Sequence, residues 1–582
     1  MKTFKAYIFL GINSYILYAT ILVVFSLSRA FNILAVKDVF IISVIISGFL
    51  KYLLYKKEGK EFSVLKRVVL EAVYMALFLI TVAVSSQLYD TTYDGRAYHQ
   101  EAIIRLAQGY NPYYQQLDED QELHALWINH YPKAVEIVSS ALYAFTGNIE
   151  TGKAFNLLFM ISNILMGLGV FLRWGRLSQG AGLVFSLILG LNPVAVCQSL
   201  SYYVDGQTWS LLLAAAYLIF LFVLEKKPAW NMILALVIFS LANIKFTSLV
   251  YLMVMMAVYY LILLLTRPGK ELIQTVMVTG ISILIAVFFI GFNPYVTNTL
   301  INGHPFYPVY GENKLDIITG NAPHEFKDKN RFEKFYLSFL GRSGNLMRAW
   351  SDEKIDLKIP FTLDLKEIKA MAGCDVRVAG FGPLFSGIFL VSALLYFLNK
   401  PGKLGGGKGG KEKDCFPGKS IWIDALLFFV VFSVVINPEF WWARYVPQLW
   451  AVPVLMLLSF GFPGKKPGLA LVPVVFYLVS IFMISTVYIG SNIKETRTLN
   501  HELELLSEGN REMAVYFENF RSDRLKLMKK GIAYIETKDD AGTVWAYENT
   551  LLGHGSVLHN DKTLHETLNA IHQPLSGSES SL

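Results

Sequence analysis

The sequence predicts an all-α polytopic membrane protein with about thirteen transmembrane helices. Three observations carry this. The 582-residue chain is 54% hydrophobic and only 17% charged, whereas soluble domains carry about 25% charged residues. Its apolar residues gather in runs long enough to cross a bilayer. Its lysines and arginines cluster in alternate gaps between those runs.

The runs lie near 7–28, 38–55, 67–86, 151–172, 181–201, 206–224, 229–244, 247–266, 273–292, 381–398, 421–436, 445–461 and 468–490. The first follows Met1-Lys2-Thr3-Phe4-Lys5 with no clean small-residue cleavage site, so it reads as a signal anchor. Lys56, Lys57, Lys60, Lys66 and Arg67 fall between spans two and three. Arg173 and Arg176 follow span four, Lys226 and Lys227 span six, and Arg267 and Lys270 span eight. Lys400, Lys403, Lys408, Lys411, Lys413 and Lys419 follow span ten, and Lys465 and Lys466 span twelve. All share one side of a thirteen-span path, which the positive-inside rule makes cytoplasmic. The expected result is a multi-pass protein of the plasma membrane, with its N-terminus cytoplasmic and its C-terminus extracytoplasmic. Two domains are expected: a transmembrane domain, 1–490, and a small α+β tail domain, 491–582.

The large polar stretches then face outward: loops 87–150 and 293–380, and the tail. The tail suggests a helix-rich piece over Leu499–Lys530, strand-like pieces at Ile532–Glu536 and Thr543–Tyr547, and a disordered end from Gly577 to Leu582. On the cytoplasmic side the Gly/Lys-rich segment 401–420 reads as a flexible linker. The formal charge of +7 does not point to nucleic acid, because the excess cations sit where topology needs them. Cys197, Cys374 and Cys415 are too widely spaced for a metal site or a disulfide framework. No cofactor or metal is implied. The spans are nearly free of charge, with Glu71 and Asp424 near cytoplasmic ends and Lys245 at an outer junction. An ion-coupled transporter would carry intramembrane carboxylates.

The first outer loop is the richest segment. It runs Asp94-Gly95-Arg96-Ala97-Tyr98-His99, then Gly109-Tyr110-Asn111-Pro112-Tyr113, then His130-Tyr131-Pro132. Residues 96–108 have helical periodicity, with Ala102, Ile103, Leu106 and Ala107 on one side and Gly109 as a stop. Residues 132–147 suit a helix too short to span. Asp94 reads either as an N-cap for the first helix or as a carboxylate able to take a proton from a hydroxyl. His99 and His130 read as packed or loop-stabilising imidazoles, or as groups facing a site.

This pattern resembles the first outer loop of GT-C-fold glycosyltransferases, the enzymes that depend on polyprenyl- or dolichyl-phosphate sugars. The resemblance covers about residues 67–175 by motif and the whole chain by topology. It implies a GT-C-like fold, a polyprenyl-phosphate-sugar donor, a glycan, lipid or protein acceptor, and contact with membrane lipids. It makes Asp94 the catalytic base. Two departures stand out: two spans precede the loop where the family often has one, and Gly95 follows Asp94 where some members carry a second acid.

The leaving phosphate then needs cations. Arg444, in Asn437-Pro438-Glu439-Phe440-Trp441-Trp442-Ala443-Arg444, offers a guanidinium fork. Its other reading is an interfacial anchor paired with Glu439. Lys245 is a second candidate, or a snorkelling lysine. Arg96 is a third, or a simple ion pair. Asp205 reads as a second acid, as an acceptor ligand or as the N-cap of span six. Tyr98, His99 and His130 complete the substrate-binding candidates. The aromatics of Asn302-Gly303-His304-Pro305-Phe306-Tyr307-Pro308 suit a headgroup zone. Three other readings stand beside the glycosyltransferase: a flippase or transporter for a lipid-linked glycan, an oligosaccharide polymerase or ligase using a pyrophosphate donor, and a non-catalytic assembly factor.

Overall fold

A computed structural model describes residues 3–60, 62–175, 177–349, 352–399, 419–459, 467–508, 512–537 and 545–572. Expectations on Arg176, Lys400, Cys415, Lys465, Lys466, residues 401–418 of the linker, and Gly577–Leu582 lie outside the described residues.

The chain is a multi-pass membrane protein of helices with one small C-terminal sheet. All thirteen apolar runs fall on helices. Among the described residues, eight helices are long and apolar enough to cross a membrane: Phe4–Phe31, Val36–Glu58, Val64–Gln87, Ile149–Trp174, Asp205–Glu225, Phe246–Thr266, Lys270–Ile290 and Gly468–Ser507. The other five runs form shorter apolar helices. The run 181–201 is broken rather than continuous. Helix Gln179–Gly190 stops, and Asn192 caps a new turn, Pro193–Cys197, through its side chain on the Val194 amide. Proline has no N–H to continue the first helix.

The bilayer leaves its mark on exposure. Helix Val64–Gln87 turns Leu65, Val68, Val69, Leu79 and Ile80 outward. In water that stripe would be a large apolar patch, whereas in lipid it is the required surface. Helix Thr3–Phe31 is instead the most enclosed, packed against Ala154–Trp174 with Tyr15 hydrogen-bonded to Asn163 at 2.9 Å.

In the first long loop, Gly95–His99 forms a wide turn that runs into helix Gln100–Ala107. Ala102, Ile103 and Leu106 are buried, and Gly109 ends the element at φ +107°. Helix Ala134–Thr146 follows, closed by Gly147 in the left-handed conformation. In the second long loop, helix Arg331–Leu340 starts on a capping box between Asn330 and Glu333.

The last apolar run does not stop at 490. Its helix, Pro467–Ser507, is 41 residues long and runs on past position 490 into the tail. There the sheet has the order β2-β1-β4-β3, with β1 Met513–Tyr516, β2 Ile535–Glu536, β3 Tyr547–Leu551 and β4 Gly555–His559. The β1 strand corrects the helix-rich expectation for Leu499–Lys530. Val515 of β1, Val557 of β4, Leu551 of β3, and Leu503 and Leu506 of the long helix share one core with Tyr89 from the first loop. Tyr89 also ties the loop to the long helix: its amide donates to Thr496 at 3.1 Å and its carbonyl accepts from Asn492 at 3.3 Å.

Candidate active site

The site begins with a turn. Asp90 is buried, and its carboxylate accepts from the Thr92 amide at 2.9 Å, the Thr92 hydroxyl at 2.6 Å and the Tyr202 amide at 2.7 Å. This folds the loop back on itself, as an aspartate does when it bonds the amide two residues on. Gly95 closes the turn. A Cβ there would lie 2.1 Å from Asp90 Oδ2 and 2.5 Å from Thr92 Oγ1, so only glycine fits.

Asp94 stands at the exit of this turn with helical φ and ψ and makes no capping bond. The N-cap alternative therefore gives way to Asp90, which does the local hydrogen bonding. The Asp94 carboxylate, 24% exposed, is 3.4 Å from Nη2 of Arg444.

Arg444 is the hub. Asn437 turns the chain after helix Lys419–Ile436 by accepting from the Glu439 amide at 2.9 Å. Glu439 then accepts from the Trp441 indole at 2.6 Å rather than pairing with Arg444. Trp441 and Trp442 stack with centroids 5.1 Å apart, and the next turn points Arg444 inward. Its Nε reaches Asp205 Oδ2 at 2.9 Å and its Nη1 reaches Asp375 Oδ2 at 3.0 Å. The guanidinium lies over the Tyr203 ring at 4.5 Å and the Trp442 ring at 5.4 Å, which are cation–π distances.

Asp205 is the most enclosed of the three acids, at 2% exposure. It sits just inside the start of its helix, and no side chain caps that helix. Its carboxylate is taken up by Arg444, by Lys245 Nζ at 2.6 Å and by Gln198 Nε2 at 3.2 Å. Lys245 precedes helix Phe246–Thr266 and lies 4.3 Å over the Tyr445 ring. It points into the cluster and does not snorkel. Burial lowers its ammonium pKa despite the Asp205 charge.

Asp375 comes from the second long loop, just before the Gly380–Pro383 entry to the next helix. Arg377 Nη2 is 3.5 Å from it. Arg377 is itself held by the Asn321 carbonyl at 2.6 Å and lies over Trp442 at 5.2 Å. Asp94, Asp205 and Asp375 thus face Arg444, Lys245 and Arg377, three charges against three. A buried group of this kind is tolerable only when its members are paired.

Of the other candidates, Tyr98 borders this cluster, while Arg96, His99 and His130 stand apart from it. Arg96 is turned into the tail, where its Nε bonds Asp523 at 3.1 Å and its Nη2 donates to the Leu552 carbonyl at 3.1 Å. Tyr98 packs edge-on to Tyr131, centroids 6.3 Å apart. Burial, and then the Asp94 charge, push its phenol pKa up. His99 is buried against Glu136 at 2.5 Å. His130 is fixed between Glu119 at 2.7 Å and Asn298 at 2.6 Å. Phe306 packs on Phe246 at 5.4 Å and does not form a separate platform.

Sequence reasoning missed Asp375 as a site residue. Among the described residues no group of three or more His, Cys, Asp or Glu side chains is placed to hold a metal ion.

The arrangement supplies three things a group transfer uses. Asp94 is the most exposed of the three acids and has the longest contact to Arg444, so it is the one open to a hydroxyl. Arg444 presents a fork already oriented by two shorter bonds. Lys245 adds an ammonium with three donors that, among the described residues, pairs with one carboxylate, Asp205.

No family profile matches the chain, and no curated protein matches it. Among solved structures, the crystal structure of ArnT from Cupriavidus metallidurans bound to undecaprenyl phosphate is similar over 86% of this chain and 99% of that chain, with 11% identity and a TM-score of 0.35.

Proposed function

We propose that this chain is an integral membrane glycosyltransferase of the GT-C kind, transferring a sugar from a polyprenyl-phosphate donor to a hydroxyl acceptor on the outer side of the membrane. The observation that carries this reading is the facing pair of Asp94 and Arg444, 3.4 Å apart. It puts a proton acceptor and a phosphate-binding cation at one point beside apolar helices. The cation pattern between the spans supports the outward placement.

The donor's lipid lies in the bilayer and its sugar at the interface. Arg444, with Lys245, receives the phosphate. The Nη2 edge toward Asp94 is the natural place for it, because the contact there is the longest of the three. Asp94 accepts the proton of the acceptor hydroxyl as its oxygen bonds to the anomeric carbon. The bond from that carbon to the phosphate oxygen breaks, and its electron pair leaves with the phosphate. One displacement inverts the anomeric carbon. Positioning and charge stabilisation supply the acceleration. Arg96 has no part in phosphate binding, because Asp523 already occupies it.

The test is sugar transfer by purified, lipid-reconstituted protein offered polyprenyl-phosphate sugars. Asp94→Asn abolishes transfer at unchanged thermal stability. Transfer at near wild-type rate by that variant overturns the assignment of the base. No transfer by the wild type from any polyprenyl-phosphate sugar overturns the reading as a whole.

A further inference from the structure

Asp94 does little to hold itself in place. It has no capping bond, and its Arg444 contact is a long one. The chain on both sides of it is held instead by the tail. Tyr93 meets the ring of Phe520 edge-on at 5.2 Å. Arg96, two residues past Asp94, sends its whole side chain into the tail. Asp523 takes the guanidinium through both Nε and Nη2, the Leu552 carbonyl takes a second bond from Nη2, and the Phe520 ring lies 4.6 Å below it. The Arg96 carbonyl accepts from the Ser522 hydroxyl at 2.6 Å. One turn on, Arg524 bonds both oxygens of Glu101, at 2.7 and 3.1 Å.

Asp523 is central to this grip. It is buried, with Arg96 on one side and Lys526 on the other. Burial works to raise its carboxyl pKa, but the two cations outweigh burial and hold it below the usual range. A buried ion pair adds little net stability, because desolvation offsets attraction. Such a pair is better at fixing a geometry, and the geometry fixed here is that of the turn carrying Asp94.

We propose that Asp523 is a positioning residue: acting through Arg96, it sets the Asp94 carboxylate against Arg444, so that the tail defines the catalytic geometry. This rests on the reading of Asp94 as the base. A carboxylate displaced by about 1 Å costs on the order of 10²-fold in rate; His99 ties the far end of the Gly95–His99 turn to Glu136, and Arg96 ties the end beside Asp94 to the tail.

The experiment compares wild type, Asp94→Asn, Asp523→Asn, Arg96→Met, Arg96→Lys and the Asp523→Asn/Arg96→Met double variant, all as full-length reconstituted protein. The expected result is a fall in kcat on the order of 10²-fold for Asp523→Asn, with donor KM within about twofold and a lowered unfolding temperature that still leaves the protein folded at the assay temperature, because Arg96 and Lys526 lose a buried counter-charge. Arg96→Met falls equally, Arg96→Lys recovers part of the rate, and the double variant is no worse than either single, as members of one device behave. Two outcomes overturn the proposal. One is a kcat for Asp523→Asn within threefold of wild type while Asp94→Asn is inactive. The other is a loss fully accounted for by unfolding or by a raised donor KM. A wild type that transfers no sugar sinks the underlying reading instead, and so the two failures are told apart.

Discussion

Nε of Arg444 lies 2.9 Å from Oδ2 of Asp205, a residue 239 positions earlier in the chain. Asp205 opens one membrane helix and Arg444 closes a tight turn after another, and each fixes the other's side chain. The guanidinium is therefore oriented before any substrate arrives. Preorganised charge of this kind is what stabilises a departing anion.

Replacing Asp205 removes a buried counter-charge from both Arg444 and Lys245. Asp205→Ala is expected to cost about 3–5 kcal/mol of stability, the usual penalty for leaving buried charges unpaired. Thermal unfolding in detergent or lipid measures this. A shift too small to resolve would show that solvent already reaches the cluster.

Arg444→Lys keeps the charge but loses the fork. A lysine cannot meet Asp205, Asp375 and a phosphate oxygen at once in the guanidinium geometry. Transfer is expected to fall on the order of 10²–10³-fold, with the larger change in kcat. Steady-state kinetics with the donor varied decides it. A variant with wild-type kcat would move the phosphate site elsewhere.

Gly95→Ala introduces a methyl group where 2.1 Å separates the Cβ position from Asp90 Oδ2. The turn must open, so Asp94 is displaced. The expected outcome is a stability loss of about 1–3 kcal/mol and a disproportionate loss of transfer. Full activity in this variant would mean that the turn yields without moving Asp94.

Acid should loosen the tail. The Asp523 pKa is lower in the folded protein than in the unfolded chain, where it is near 4. Its contribution is complete above the unfolded value and is lost as pH falls through the lower folded value. Hydrogen exchange over residues 513–537 and 545–559 should stay slow at neutral pH and rise below about pH 4. In Asp523→Asn the carboxylate's share of that acid sensitivity disappears. The same acid response in wild type and variant would assign the titration to another group.

Much of the membrane architecture was legible because hydropathy and cation placement act over whole helices, and thirteen runs become thirteen helical regions. Asp94, Asp205, Lys245 and Arg444 were each visible because span ends are visible, and all four meet in the structure. Asp375 was not visible, because nothing local separates it from any loop aspartate: only the fold brings it to Arg444. The Arg96–Asp523 pair, 427 positions apart, is beyond any periodicity. Strand β1 was missed for a related reason. Four residues are too few to show an alternation, and its partners, β2 and β4, come later in the chain. The N-cap readings of Asp94 and Asp205 followed statistics of helix starts, which say nothing of a distant arginine competing for the same oxygens.

The long helix Pro467–Ser507 enters the tail without a joint. At 1.5 Å per residue it is a strut of about 60 Å, shared by the apolar layer and the sheet. Height and bearing are thus locked together: one inserted residue beyond position 490 would lift the sheet by about 1.5 Å and swing it through about 100°. The spacing between the two ends of this strut is a dimension the protein cannot vary freely, and single-residue insertions along it would act as a vernier on the distance from lipid to carboxylate.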